Sequence, residues 1–156
     1  MKAGLLMATL MALASPVWAQ NAGTVKASTL NVAIDNTVQR LPEGCGGEDL
    51  ALSGQILLNS SVSFNGSGGV DVKIVSDRRS LTGTSPTQVL KGSDSGSHLY
   101  SNSSAEDFEW IQIESIPIQS PDGAKRAMVH LQWHYRVTAG GDFTAQVQSL
   151  NCDCGA

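Results

Sequence analysis

A glycine-rich acidic turn runs directly into an alternating apolar stretch at Cys45-Gly46-Gly47-Glu48-Asp49-Leu50-Ala51-Leu52-Ser53-Gly54. The glycines give the backbone a freedom that turns require and that strands do not favour. From Leu50 onward, apolar side chains take most alternate positions as far as Leu58, which is the period of a strand with one buried face. This stretch therefore predicts a turn that opens an amphipathic β-strand.

The rest of the chain repeats this succession of strands and turns. Strand-like segments start near Leu30 and continue to Val147, and glycine-rich turns lie at 65–69 and 139–142. About seven such segments, with no helical periodicity after the N-terminal leader, predict an all-β fold. Neighbours along the chain are expected to pair, which gives an antiparallel meander that closes into a small β-barrel, with a β-sandwich as the alternative.

The N-terminus has the features of a secretory signal peptide. Lys2 supplies a positive charge, residues 3–14 are mostly apolar, and Ala19 is a small residue at the expected cleavage site. We therefore expect a signal peptide at 1–19, a loose leader at 20–28 and a single all-β domain at 29–156. No later stretch approaches the roughly 20 apolar residues of a spanning helix, so we expect a secreted or periplasmic protein without an integral membrane segment after cleavage.

The charge balance argues against polyanionic partners. Ten basic and fourteen acidic side chains give a formal net charge of −4, and one of the basic residues, Lys2, lies in the signal peptide. A phosphate backbone or an anionic membrane surface would be repelled by such a chain. Nucleic acid is therefore not an expected partner.

Three cysteines, Cys45, Cys152 and Cys154, suggest one disulfide and one leftover thiol. An oxidising compartment favours pairing of two of them. A bridge between Cys152 and Cys154 would be strained because a single residue separates them. The residues therefore predict a long-range bridge from Cys45 to either Cys152 or Cys154. The spacing does not fit a metal site, and neither a metal nor a cofactor is predicted.

The chain resembles a family of secreted bacterial all-β proteins of unknown function. The resemblance lies in the Cys45 turn, the hairpin at 65–70 and the late strand at 129–137. Members carry Cys-x-Gly-Glu-Asp before an alternating strand and end on a strand that closes in a cysteine. The terminal Leu150-Asn151-Cys152-Asp153-Cys154 is similar to that ending. The resemblance implies that Cys154 is the partner of Cys45, and that Cys152 stands where an apolar residue is usual. It implies no activity.

Candidate site residues come mainly from the strand predicted at 127–137. Its alternation places His130, Gln132 and His134 on one face and Trp133 and Tyr135 on the other. His130 and His134 are about 13 Å apart on such a strand, which is too far to share one metal ion. With Trp110 from the preceding strand, these side chains are the predicted binding residues. Most simply, the three polar side chains form a solvated face.

No catalytic set is predicted. Glu48 and Asp49 are adjacent and would point to opposite faces of a strand, so they are interpreted as a structural turn. We therefore expect a binding or interaction module for an apolar small ligand or a protein partner. The alternatives are a small isomerase-like or cyclase-like barrel enzyme that uses His98, His130 or His134, and a structural envelope protein.

Overall fold

The computed structural model describes residues 23–92 and 95–155 of the chain, and there it is built almost entirely from antiparallel strands. The expected signal peptide at 1–19 lies outside the described residues. One short 3-10 turn, Glu43–Cys45, joins the first two strands. The strands are β1 (Val25–Arg40), β2 (Asp49–Phe64), β3 (Val70–Asp77), β4 (Thr82–Thr84), β5 (Val89–Gly92), β6 (Ser95–Asn102), β7 (Phe108–Gln119), β8 (Arg126–Val137) and β9 (Phe143–Asp153).

These strands form one nine-stranded sheet that remains open. The hydrogen-bonded order is β6-β3-β2-β4-β5-β7-β8-β9, and β1 pairs with β2. Within the described ranges, β6 and β9 each have a single pairing partner, so the sheet does not close into a barrel. The predicted all-β antiparallel class is confirmed, whereas the predicted barrel closure and count of about seven strands are not. Over residues 23–92 and 95–155, no pairing joins β3 to β4, β5 to β6, or β6 to β7, so the sheet is not a simple meander.

β2 changes partners halfway along its length. Its N-terminal half pairs with β4 and its C-terminal half with β3, while β1 follows its other edge. Between the two halves Gly54 has a φ of +132°, and a β-carbon there would lie 2.1 Å from the backbone oxygen of Ser80. Opposite, the β1 register shifts between Ile34 and Thr37, and Asn36 has a φ of 42°. This bulge and this glycine bend the hairpin, which therefore takes part in both halves of the sheet.

The structure contains strand segments that the alternation of apolar residues did not indicate. β1 begins at Val25, so the last part of the expected loose leader at 20–28 is paired with β2. β4 and β6 have no alternation of large apolar residues. β6 has the sequence Ser-Gly-Ser-His-Leu-Tyr-Ser-Asn, in which small polar residues replace the usual apolar ones. It forms because β3 offers a paired edge along its whole length.

The core lies on the inward face of the strands and follows their two-residue period. Along β8 the burial alternates as predicted, with Trp133 and Tyr135 fully buried. The other large, fully buried side chains come from β2, β3, β5, β7 and the turns beside them: Leu41, Leu50, Leu52, Ile56, Leu58, Ile74, Leu81, Leu90, Ile116 and Ile118. The space enclosed by the sheet is therefore filled mainly with close-packed apolar side chains.

A disulfide joins the turn between β1 and β2 to the end of β9. Cys45, in the turn before β2, is bonded to Cys154, just after β9, and the Cα atoms are 5.3 Å apart. Cys152 is a free thiol. The predicted long-range bridge is confirmed, with Cys154 as the partner of Cys45. In the described part of the chain, no helix has the length and apolar character needed to cross a membrane.

Candidate functional site

The six predicted binding residues lie on opposite faces of the β7–β9 layer. The outward face carries His130, Gln132 and His134, and the inward face carries Trp110, Trp133 and Tyr135. The alternation within β8 predicted this division correctly. The structure therefore does not bring the six side chains together, and the two groups have different roles.

On the outward face, His130 bridges two neighbouring strands. The Ser115 Oγ lies 2.9 Å from His130 Nδ1, and His130 Nε2 lies 2.9 Å from the Asp153 Oδ2. This chain of contacts contains the residue types of a hydrolase triad. However, Ser115 is paired directly with His130 across β7 and β8, and these contacts simply follow the strand pairing on the exposed outward face. We interpret the arrangement as cross-strand support.

The other outward residues make similar local contacts. Gln132 Nε2 donates to Gln148 Oε1 at 3.1 Å, and His134 Nε2 lies 3.1 Å from Glu109 Oε2. Each histidine thus has its own carboxylate. Among the described residues, no group of histidine, cysteine and acidic side chains is arranged to hold a metal ion. This face is a hydrogen-bonded polar surface.

The inward aromatic residues form a continuous stack. The Tyr100 ring of β6 lies parallel to Trp110 of β7, with centroids 4.3 Å apart. The ring centroids of Trp110 and Tyr135 are 5.2 Å apart, and Tyr135 stacks on Trp133 with centroids 5.8 Å apart. Trp133 and Tyr135 are buried in the core, whereas Tyr100 and Trp110 remain partly exposed. The stack links the core to the side of the molecule where β6 and β7 lie.

A buried polar network lies at the inner end of this stack and was not anticipated. The Glu114 side chain, on β7, accepts hydrogen bonds from Ser76 Oγ at 2.5 Å and from Trp133 Nε1 at 2.8 Å. Arg78 Nη1 lies 3.3 Å from the same carboxylate. Arg78 is 6% exposed and Glu114 is 3% exposed, so this ion pair is desolvated. Burial and the Glu114 charge raise the pKa of Tyr135 above its usual range.

One signal in the sequence pointed to Glu114. It shares the parity of Trp110 and Ile116 along β7, and that parity faces the core. Arg78 gave no such signal, because Asp77-Arg78-Arg79 has the composition of a solvated turn. Its guanidinium reaches Glu114 only because the sheet brings the end of β3 against β7.

Two buried nitrogens, one beside the Glu114 network and one within the aromatic stack, have no hydrogen-bond partner among the described residues. They are His98 Nε2 on β6 and Trp110 Nε1 on β7. The His98 nitrogen lies 3.7 Å from Glu114 Oε1, beyond hydrogen-bonding distance. His98 is thus the one histidine that faces the interior, while His130 and His134 face outward. The enzyme alternative would have to rely on His98.

The strands that carry these nitrogens expose a free edge, which we call the open edge. It consists of β6 and of residues 108–117 of β7. β6 pairs only with β3, and β5 pairs only with the last two residues of β7 in the described structure. Its two strands carry three large apolar residues whose surface is mostly exposed to solvent: Leu99 is 79% exposed, Ile111 58% and Ile113 66%.

The other edge strands carry features that discourage further pairing. β1 has a bulge near Asn36, and its Lys26 forms an ion pair with Asp142 in the turn before β9. β9 is irregular, since its register against β8 shifts between Gln132 and Trp133. Bulges and edge charges are the usual means of protecting a sheet edge. β6 has no charged residue, no proline and no bulge, so it is an unprotected edge.

Comparison of the chain with protein-family models, with curated proteins and with solved structures gives no match.

Proposed function

We propose that this protein is an exported binding module that adds an extended segment of a partner protein to its sheet along β6. The observation that carries this proposal is the open edge, an unprotected strand with strongly exposed apolar residues beside it. Half of the backbone N–H and C=O groups of an edge strand point away from its neighbour and are available to another strand. Main-chain hydrogen bonds would then supply affinity, and alternate side chains would supply specificity.

The chemistry of the edge indicates the kind of partner. Leu99 alternates with Ser97 and Ser101 on the outward side of β6, and Ile111 directly follows Trp110, which stacks on Tyr100. β6 itself carries no formal charge. An uncharged extended segment with apolar residues at alternate positions would cover Leu99 without burying an unpaired charge.

A surface site is favoured over an interior ligand because the interior is occupied. Trp133 and Tyr135, two of the predicted binding residues, are part of the packed core. Export is supported by the disulfide between Cys45 and Cys154, since such bonds persist outside reducing compartments. Secretion or a periplasmic location, together with cleavage of the signal peptide at 1–19, is part of the proposal.

The proposal is tested by placing a photoreactive amino acid at Ser97 and irradiating the cells that produce the protein. We expect one discrete protein adduct, linked through a segment with alternating apolar residues. Leu99→Asp should lower its yield at least tenfold, because a carboxylate would then face the added strand. Val38→Asp, which alters an exposed apolar residue on β1, is the matched control and should leave the yield unchanged.

Two results would overturn the proposal. One is the lack of any adduct at position 97, or an adduct that Leu99→Asp leaves unchanged. The other is an adduct formed only with a second copy of this chain, which would identify self-association instead of partner binding.

A further inference from the structure

A cleft beside the disulfide has the features of a small-molecule site, at a different place from the open edge. It has a volume of about 420 Å³, within the range of small-ligand pockets. It lies between the turn before β2, the turn before β8 and the end of β9. Its lining includes both disulfide cysteines, glycine backbone and four polar side chains, Glu48, Gln88, Lys125 and Arg126.

The acidic side chain of this cleft has hydrogen-bond partners, whereas its two basic side chains form no ion pair among the described residues. The Glu48 carboxylate accepts hydrogen bonds from Thr87 Oγ1 and from Gln88 Nε2. Hydrogen bonds from the Thr87 and Ser85 hydroxyls, assisted by the charge of Lys125, lower the pKa of Glu48. By contrast, neither Lys125 nor Arg126 forms an ion pair with any residue of 23–92 or 95–155. The cleft therefore offers two available cations beside a carboxylate that is already occupied.

The wall that faces these cations is held in place before any ligand arrives. The backbone N–H groups of Cys45 and Gly47 both donate to the backbone carbonyl of Pro42. The backbone N–H of Leu41 donates to the backbone carbonyl of Glu48. The disulfide fixes the same turn to the end of β9. A preformed wall reduces the ordering cost of binding.

We propose that this cleft binds a small molecule through an oxyanion group, a carboxylate or a phosphate, held by Lys125 and Arg126. The guanidinium group matches the geometry of both anions and can donate two parallel hydrogen bonds, while the ammonium group adds a mobile charge. Gln88 and the glycine backbone provide further polar contacts for the rest of the ligand. The net charge of the chain is negative, so a site that attracts anions requires such a local concentration of cations.

The test is a titration of the full chain with inorganic phosphate and, separately, with succinate, at constant ionic strength, followed by backbone amide chemical shifts. We expect saturable shifts at Gly44, Gly46 and Gln88 with at least one of the two anions. The double variant Lys125→Ala/Arg126→Ala should reduce the apparent affinity at least tenfold. Lys73→Ala, which removes an exposed lysine from β3, is the matched control and should not change it.

A larger response to phosphate than to succinate would assign the site to phosphorylated ligands, and the reverse would assign it to carboxylates. The inference is overturned if neither anion shifts the cleft amides. It is also overturned if the double variant, shown to be folded by its amide spectrum, responds like the original protein. Shifts of equal size around every exposed lysine would overturn it too, because they would indicate non-specific ion binding.

Discussion

The residue that most distinguishes this core is Glu114. Its carboxylate is surrounded by Ser76, Arg78 and Trp133, so the ion pair has hydrogen-bond partners as well as an opposite charge. A buried pair of this kind is weak evidence for added stability, but the loss of one member leaves the other charge uncompensated. The network therefore makes the native core dependent on a single side chain.

We expect Glu114→Gln to lower the free energy of unfolding by about 3 kcal/mol, since the buried Arg78 guanidinium would lose its ion pair with the Glu114 carboxylate. Urea denaturation measures the change. Glu109→Gln, on the outward face of the same strand, is the control and should cost less than about 0.5 kcal/mol. Similar losses for both variants would show that the buried pair does not have this role.

A second residue-scale prediction concerns Asp77 and pH. Hydrogen bonds from the Arg79 side chain and backbone lower the pKa of Asp77 to about 2. Because the folded pKa is below the unfolded one, this carboxylate contributes stability above about pH 4, and the contribution is lost as the pH falls towards 2. Carboxyl carbon shifts should titrate with a midpoint near 2, and Arg79→Ala should move it towards the usual value of about 4. An unchanged midpoint in the variant would refute the assigned cause.

Single residues were predictable from the sequence where strand parity decides their environment. The outward position of His130 and the inward position of Trp133 follow from alternation alone. The buried positions of the His98 and Trp110 nitrogens do not, because they depend on how β6 lies against β7. Such contacts join segments that sequence periodicity treats separately.

At the scale of the elements, the bend of the β1–β2 hairpin determines the shape of the sheet. Gly54 is required there for two reasons, a positive φ and the close approach of the Ser80 backbone. Because of this bend, β2 pairs with β4 on the N-terminal side of Gly54 and with β3 on its C-terminal side. A straight hairpin would not bring β3 and β7 close enough for Arg78 to reach Glu114.

Gly54→Ala should therefore destabilise the protein by at least about 2 kcal/mol, from backbone strain together with the steric overlap. Thermal or urea unfolding checks this value. Gly66→Ala is the control, since a β-carbon at Gly66 meets no atom within 4 Å, and its effect should be small. If Gly54→Ala were as mild as the control, the bend would not depend on this glycine.

Elements were predictable where an apolar period marks them. The strands around Leu52, Val72 and Trp133 each have one buried face, and the alternation indicated them. β6 has only Tyr100 as a large inward apolar residue, so its sequence resembles a loop, and its pairing with β3 could not be inferred from its own residues. The strand that carries the proposed function was thus the one least marked in the sequence.

At the scale of the whole molecule, the disulfide connects the turn between the first two strands to the end of the last strand. Cys45 and Cys154 are 109 positions apart, so the bridge strongly restricts the unfolded chain. The sequence predicted a bond of this range because a bridge between Cys152 and Cys154 would be strained. It could not predict whether the sheet closes, because local alternation is the same in a barrel and in an open sheet.

Cys45→Ser should lower the free energy of unfolding by about 4 kcal/mol according to the loop-entropy estimate. The measurement is urea unfolding under non-reducing conditions. Cys152→Ser removes the free thiol and leaves the bridge intact, so it should cost much less. A greater loss for Cys152→Ser than for Cys45→Ser would contradict the structural role of the bridge.

The central claim is that β6 is a formed strand with one edge free for a partner, and amide hydrogen exchange of the isolated full chain tests it most directly. We predict slow exchange for consecutive amides of β8, which is paired on both edges, and alternation between slow and fast exchange along residues 97–101 of β6. Uniform protection of β6 would mean that its edge is already covered. Uniformly fast exchange would mean that the strand is not formed, and either result would contradict the account.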